Sequence, residues 1–459
     1  MAIITATKLN DTITGTSGDD SIVGSRLGDF IDGAAGNDTI DGGASNIEVP
    51  NGKDTIHGGA GNDSINGNSG GLLFGEAGDD TITALTDATT LIDGGAGNDS
   101  IAGLAGFPST TGASYQSATS GVHVSLDLSG PQDVGGGMGV DTLFRLASLV
   151  GSAFNDTLTA PNQTSLGAQL SDALFGSGGD DLLQGGLGAD TFLPGPGNDT
   201  VLGGGGIDTV IYADDSVGTI LTGGVTVDLR VTGAQAIGGG MGVDTLESIE
   251  NVVGGRFGDT LSGNQGDNQL TGAGGDDSLS GFGGNDSLDA SSGADTLSGG
   301  DGDDRLTGGV AGRAVMRGDA GDDTLIVIAD PDDVNGNTGN DTVTAQFSVG
   351  AVSVWLRGGR GDDSIVGGAG GDFISGDRGN DTESGGAGAD LFHGSQDAGI
   401  DRVLDFHVAE GDRVMLDPGT TYTVSQVGAD TVLDMGAGNQ MILVGVSMSS
   451  LTASSIFFG

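Results

Sequence analysis

An all-β fold, a parallel β-solenoid, is predicted for this chain by three observations. A nine-residue unit recurs along most of the sequence, clearest in Gly185-Gly186-Leu187-Gly188-Ala189-Asp190-Thr191-Phe192-Leu193. Glycine supplies 95 of the 459 residues, and each glycine costs a helix about 1 kcal/mol relative to alanine. One large apolar residue falls at the eighth place of each unit, as Leu183, Phe192, Val201 and Val210 do. A unit this short cannot close its own core, so neighbours must stack.

Within each unit the first six residues read as a turn, because glycine admits positive φ and a close approach of successive backbones. The last three read as a very short strand whose middle residue points inward. Two units then make one turn of a flattened roll, and alternate units stack eighteen residues apart. The sixth residue, usually aspartate, lines up along each edge.

Six segments follow from the phase of the repeat. A first array spans 1–106, with in-phase acids Asp11, Asp20, Asp29, Asp38, Asp54, Asp63, Asp80 and Asp99 and an insertion at 45–51. In the same array Gly70-Gly71-Leu72-Leu73-Phe74 replaces one acidic turn by an apolar one. A strand-rich insert at 107–150 carries Val122-His123-Val124-Ser125-Leu126-Asp127-Leu128, which alternates like a strand with one buried face. Asp141 and Asp156 follow it. A second array at 151–211 holds Asp172, Asp181, Asp190, Asp199 and Asp208.

The insert returns at 212–253, with Val225-Thr226-Val227-Asp228-Leu229 followed by Asp244, and Asp259 keeps the offset of Asp156. These inserts are expected to continue the solenoid with longer strands. A third array at 254–394 holds Asp277, Asp286, Asp295, Asp304, Asp323, Asp341, Asp363, Asp372, Asp381 and Asp390. Asn268 replaces one aspartate of that array, and 349–356 is a further strand-like stretch with the only tryptophan, Trp355. Glu383 stands where an inward apolar residue belongs, which predicts a frayed edge or an outward bend. From 395 to 459 a β-rich cap is expected, with strands near 422–427, 430–435 and 440–446 and a short helix near 447–454.

The charge pattern points to a cation. The chain has 64 acidic and 14 basic residues, a formal charge of -50, no cysteine and 4% aromatics. Such a composition is close to that of a disordered chain, and self-repulsion opposes compaction. Rows of stacked carboxylates are tolerable only with positive charge between them. Calcium takes six to eight hard oxygens at about 2.3–2.6 Å in flexible geometry, which aspartates and turn carbonyls supply. Zinc and copper prefer nitrogen or sulfur, and the four histidines are scattered. The candidate ligands are Asp20 and the in-phase aspartates named after it. The expected pairs between stacked turns are Asp181 with Asp199, Asp190 with Asp208, Asp277 with Asp295, Asp286 with Asp304, Asp363 with Asp381, and Asp372 with Asp390.

The tandem nonapeptide resembles that of the RTX (repeats-in-toxin, haemolysin-type calcium-binding) family. The resemblance implies a parallel β-roll with calcium in the turns, interrupted by longer strand inserts and closed by a C-terminal cap. It also implies export from a Gram-negative bacterium by the type I secretion machinery, which reads an uncleaved C-terminal signal. The segment Asp401-Arg402-Val403-Leu404-Asp405-Phe406 and the apolar ending Ile456-Phe457-Phe458-Gly459 are similar to that signal region. No N-terminal leader and no membrane span is read from the chain. The expected partners are calcium ions, the export machinery, and self-association or a cell-surface glycan. Nucleic acid is not expected, for want of a basic patch.

No catalytic motif is read. There is no His-Glu-x-x-His and no nucleophile elbow before a hydrolase pattern. Gly67-Asn68-Ser69-Gly70-Gly71 lies in phase with the repeat, and paired acids such as Asp19-Asp20, Asp79-Asp80, Asp180-Asp181 and Asp276-Asp277 recur with it. The expected role is a secreted calcium-binding protein that folds outside the cell as a structural, matrix or adhesive component, S-layer-like in kind. The alternative is a secreted effector such as a contact-dependent toxin or bacteriocin, with a cryptic enzyme behind both.

Overall fold

The computed structural model describes residues 1–6, 10–25, 28–43, 53–68, 70–85, 90–104, 110–162, 171–215, 218–328, 333–346 and 353–459. The insertion at 45–51, Lys8, Ser69 and the start of the 349–356 stretch lie outside the described residues. The chain forms two compact units: Met1–Leu221 with Val231–Ile249, and Thr222–Arg230 with Glu250–Gly459.

In the first unit three-residue strands stack in parallel on two edges. Ala173–Phe175 pairs with Thr191–Leu193, which pairs with Thr209–Ile211, and Leu182–Gln184 pairs with Thr200–Leu202. Registers such as Leu174 on Phe192 and Leu183 on Val201 keep alternate units in step. The eighth-place side chains Leu174, Leu183, Phe192, Val201 and Val210 are fully buried. So are Ile22, Ile40, Ile65, Ile82 and Ile101 on one edge of the first array, and Ile31, Ile56 and Ile92 on the other. Each contributes about 1.5–3 kcal/mol by leaving water.

The duplicated inserts depart from the expected long strands. His123–Ser125 is only three residues long, and Leu128 is exposed. After it, Gln132–Asp133 turns back antiparallel against Val140–Phe144, and Gln235–Ala236 does the same against Val243–Glu247. The Gly-rich segment between each pair is therefore a hairpin. The alternation of 122–128 misleads because strand pairing ends at Ser125, with one last bond from Leu126 N–H to the Thr159 carbonyl.

In the second unit one sheet has strands of six residues, longer than the unit predicts. It runs through Thr296–Asp301, Val315–Ala320, Asp333–Thr338, Trp355–Arg360 and Phe373–Arg378. The opposite sheet keeps short strands such as Ser287–Asp289, Arg305–Thr307 and Ser364–Val366. The three expected C-terminal strands form an antiparallel meander, Thr423–Val427, Asp430–Gly436 and Asn439–Leu443. Asn439–Leu443 extends the solenoid by pairing with Ile400–Val403, and Ile456–Phe458 pairs with Arg413–Leu416. The expected helix is a single 3-10 turn, Met448–Ser450. Among the described residues no helix is long and apolar enough to cross a membrane.

Candidate metal centres

All the candidate aspartates are buried, from Asp20 and Asp29 at one end to Asp381 and Asp390 at the other. The backbone N–H of one aspartate donates to Oδ1 of the aspartate on the next turn of the same edge. In the first unit this links Asp20, Asp38, Asp63, Asp80, Asp99 and Asp141 in turn. It also links Asp156, Asp181, Asp199 and Asp244. On the other edge it links Asp29 to Asp54 and Asp172 to Asp190 to Asp208.

In the second unit Asp259, Asp277 and Asp295 form one run. Asn268, Asp286, Asp304, Asp323, Asp341, Asp363 and Asp381 form another, and Asp372 with Asp390 a third. Each of the six expected pairs stands in this relation at a separation of 18 residues.

The ladder spends one carboxylate oxygen, and the other divides the turns into two classes. In the first class Oδ2 is capped within its own turn. Thr16 N–H donates to Asp20 at 2.6 Å, Ser25 to Asp29 at 2.5 Å, Ser152 to Asp156 at 2.5 Å and Gly255 to Asp259 at 2.7 Å. Asn264 N–H caps Asn268 in the same way. Asp141 and Asp244 have a different cap, the buried hydroxyls of Tyr115 at 3.2 Å and Tyr212 at 2.7 Å.

In the second class Oδ2 is buried and accepts no hydrogen bond. Asp38, Asp63, Asp80, Asp99, Asp181, Asp190 and Asp199 belong here, as do Asp277, Asp286, Asp295, Asp304, Asp323, Asp341, Asp363, Asp372, Asp381 and Asp390. Asp172 leaves Oδ1 in that state instead.

The backbone at the second residue of the turn separates the open carboxylates from those capped within their own turn, whereas Gly137 and Gly240, ahead of the tyrosine-capped Asp141 and Asp244, share the positive φ of the open ones. Ahead of the open carboxylates it has φ between 64° and 124°, in Ala34, Glu76, Ser177, Phe282, Ser291, Asn337 and Asp377 as well as in glycines. Thr16, Ser25, Ser152, Gly255 and Asn264 show no positive φ. Positive φ turns the peptide between the first and second residues over. Its N–H then leaves the aspartate, and in some turns it meets the side chain two residues back, as Ala34 meets Asp32 at 2.9 Å and Ser291 meets Asp289 at 3.0 Å. Its carbonyl swings to the aspartate side. For a side chain other than glycine that conformation costs about 1–2 kcal/mol.

The first glycine completes the cradle. A Cβ on Gly185 would lie 2.5 Å from Oδ2 of Asp190 and 2.5 Å from the carbonyl oxygen of Gly203 on the following turn. On Gly281 it would lie 2.1 Å from Oδ2 of Asp286 and 2.6 Å from the Gly299 carbonyl. Carboxylate and carbonyl oxygens thus converge where only glycine leaves room. Among the described residues no three acidic or histidine side chains gather as a metal-holding group. What the turns present is backbone carbonyls with one or two carboxylates, a hard oxygen set of the kind calcium takes.

Burial raises these carboxyls. Asp181 is pushed up to about 9, Asp199 and Asp363 to about 8, and Asp80, Asp304 and Asp372 to about 7. The ladder N–H opposes the rise, and the stacked carboxylates add to it. Asp20 moves the other way, lowered chiefly by the Thr16 and Ala2 N–H groups.

Several participants escaped the sequence reading. Asp401 and Asp412 extend the ladders from Asp381 and Asp390, at separations of 20 and 22 residues that break the period. Gly399-x-Asp401 was the surviving signal. The fifth residue of the turn builds a second, outer ladder, Asp19 to Asn37 to Asn62 to Asp79 to Asn98, with side chains accepting the next turn's N–H. This accounts for the acid pairs.

Glu383 corrects its expectation outright. It is fully buried in a regular strand, in register between Ile365 and Val403. Its Oε1 accepts the Gly376 N–H at 2.8 Å, Oε2 has no partner, and burial raises its pKa well above the ordinary value. Glu383→Gln keeps the acceptor and removes the proton uptake that burying this carboxyl requires. In calcium-saturated buffer it is expected to raise the urea midpoint, by about 1–3 kcal/mol of relieved burial, whereas an unchanged or lower midpoint contradicts a buried, uncompensated carboxyl.

Stacked turn-and-strand units with inward oxygens define a cation-binding parallel β-solenoid. The sequence profile of the RTX calcium-binding nonapeptide repeat matches residues 5–26, 24–46, 51–71, 72–91, 91–107, 167–201, 175–210, 244–279, 253–288, 280–311 and 355–383, more than half of the chain. The chain belongs to the RTX calcium-binding nonapeptide repeat family. No curated protein matches it. Among solved structures it is similar to the AlgE6R3 subunit of the Azotobacter vinelandii mannuronan C5-epimerase, with 27% identity over 27% of this chain and 82% of that one and a TM-score of 0.21. It is also similar to the extracellular lipase LipA of Serratia marcescens, with 18% identity over 68% of this chain, 40% of the lipase and a TM-score of 0.21.

Proposed function

We propose that this is a secreted calcium-binding repeat protein that folds when it meets calcium outside the cell and then serves as a structural or surface scaffold. The observation that carries the reading is the set of buried Oδ2 atoms without hydrogen bonds, each beside a flipped peptide. A buried carboxylate left unpaired is costly, and repetition multiplies the cost along both edges. Calcium between stacked turns removes it. Low cytosolic calcium keeps the chain loose for export through its C-terminus, and external calcium folds it.

The ligands are the open aspartates of the second class with the turned carbonyls. The self-capped Asp20, Asp29, Asp156 and Asp259 serve as calcium-independent turns, and Asp141 and Asp244 close their runs under the tyrosine hydroxyls. Asp190→Ala and Asp286→Ala are expected to lower the calcium stoichiometry in isothermal titration. Asp259→Ala is expected to leave it unchanged while costing about 1–3 kcal/mol of stability through the lost N–H acceptors. Equal stoichiometry in all three variants would refute the assignment.

A further inference from the structure

We propose that the outer ladder ranks the turns by calcium affinity, and that the cradle of Asp304 and Asp323 binds the ion most tightly because Asp303 and Asp322 stack their carboxylates beside it. The inference rests on the calcium reading of the open turns and names the one that fills first. Elsewhere the outer ladder keeps its charges apart. Asp79, Asp180, Asp267, Asp322 and Asp362 are each followed on the next turn by an asparagine whose backbone N–H donates to the carboxylate. Asn98, Asn198, Asn340 and Asn380 add a side-chain N–H at distances between 2.9 and 3.3 Å. Asp303 differs. The next turn brings Asp322, which donates only its backbone N–H, at 2.9 Å, and sets a second carboxylate over the first. Both are exposed. Stacked turns are about 4.8 Å apart, and like charges side by side are destabilising. Among the described residues Arg305 and Arg317, the nearest cations along the chain, form no ion pair with either.

A complete cradle adjoins this pair. Asp304 and Asp323 follow Asp303 and Asp322 directly, are buried, and each keep an Oδ2 that accepts no hydrogen bond. Asp304 N–H donates to Oδ1 of Asp323 at 2.8 Å, which sets the two carboxyls on consecutive turns. A Cβ on Gly299 would lie 2.2 Å from Oδ2 of Asp304 and 2.7 Å from the Gly318 carbonyl oxygen. The charge of Asp303 reaches both buried carboxyls and helps to raise them. An ion between Asp304 and Asp323 therefore meets two carboxylates directly and two more through space. The attraction falls only with the first power of distance and is doubled for a divalent ion. The cradles of Asp286 with Asp304 and of Asp363 with Asp381 have one outer carboxylate and one amide each, Asp303 with Asn285 and Asp362 with Asn380. The same cation also relieves the repulsion between Asp303 and Asp322, which no other turn of the outer ladder carries.

The test titrates the full chain with calcium against a competing chromophoric chelator, in about 0.1 M and about 1 M salt. The double variant Asp303→Asn/Asp322→Asn removes both outer charges and keeps the ladder acceptors, as Asn285 and Asn340 do. Its tightest class of ion is expected to bind about tenfold more weakly at the lower salt. Its calcium stoichiometry and its calcium-loaded circular dichroism are expected to match the parent. The difference is expected to shrink at the higher salt, where the Debye length is about 3 Å. Asp362→Asn removes a lone outer charge beside a different cradle and is expected to leave the tightest class unchanged. An unchanged tightest class in the double variant, an equal loss in Asp362→Asn, a missing equivalent of calcium, or a loss that ignores salt each overturns the proposal. A parent chain that takes up no calcium refutes instead the calcium reading, and this inference with it.

Discussion

Transfer of the protein from millimolar calcium into excess chelator at pH 7.5 is expected to abolish most of its β-sheet circular dichroism, and readdition of calcium to restore it. The size of the effect follows from the ledger of charge and core. Only 4% of the residues are aromatic and the net charge is -50, so the core is a single file of Ile, Leu and Val held against strong self-repulsion. A ligand that binds only the folded state adds about 2.7 kcal/mol per site at about a hundred times its Kd. A whole domain has a net stability of only about 5–15 kcal/mol, so a few sites outweigh it. Magnesium at the same concentration is expected to restore less, because it demands a stricter octahedron and gives up its water reluctantly. A chelated chain with undiminished β signal would mean that the open carboxylates are compensated some other way.

Without calcium the fold is expected to become more stable in acid, the reverse of most proteins. The open aspartates have folded pKa values raised from 3.8, to about 6 for Asp190 and Asp286, about 7 for Asp304 and about 9 for Asp181, chiefly through burial. A raised folded pKa means that the folded state holds its protons more tightly. That contribution to stability is fully present below about pH 4 and is lost as pH rises through about 6 to 9. Calcium reverses the slope, since protons compete with it for the same oxygens. The β-sheet circular dichroism of dilute protein in chelator is therefore expected to fall from pH 4.5 to pH 8.5, whereas the urea midpoint in calcium is expected to rise. Slopes of the same sign in the two buffers would rule out shared carboxylates.

Much of this was legible in the chain itself. The inward place of Leu183, Phe192, Val201 and Val210 follows from a period of nine and from strands too short to bury more than one residue. The stacking of Asp181 over Asp199 or Asp286 over Asp304 follows from the same period, because two units make a turn. Where the period breaks, the reading failed. The alternation at 122–128 suggested a long strand, but strand pairing ends at Ser125. Asp401 and Asp412 were missed because their turns are longer than eighteen residues.

Repetition by itself determined the solenoid, its inward row and the two lines of acids, since each depends only on residues a fixed distance apart. Tertiary structure decided which acids remain open. Gly255 and Gly186 occupy the same place in the unit, but one caps its aspartate and the other, at positive φ, turns away. It also brought Tyr115 to Asp141 across 26 residues and Tyr212 to Asp244 across 32, and it enclosed Glu383. The physical reason is that a hydrogen bond or a charge cluster depends on where separate turns meet and how each peptide is rotated, and a local period carries neither.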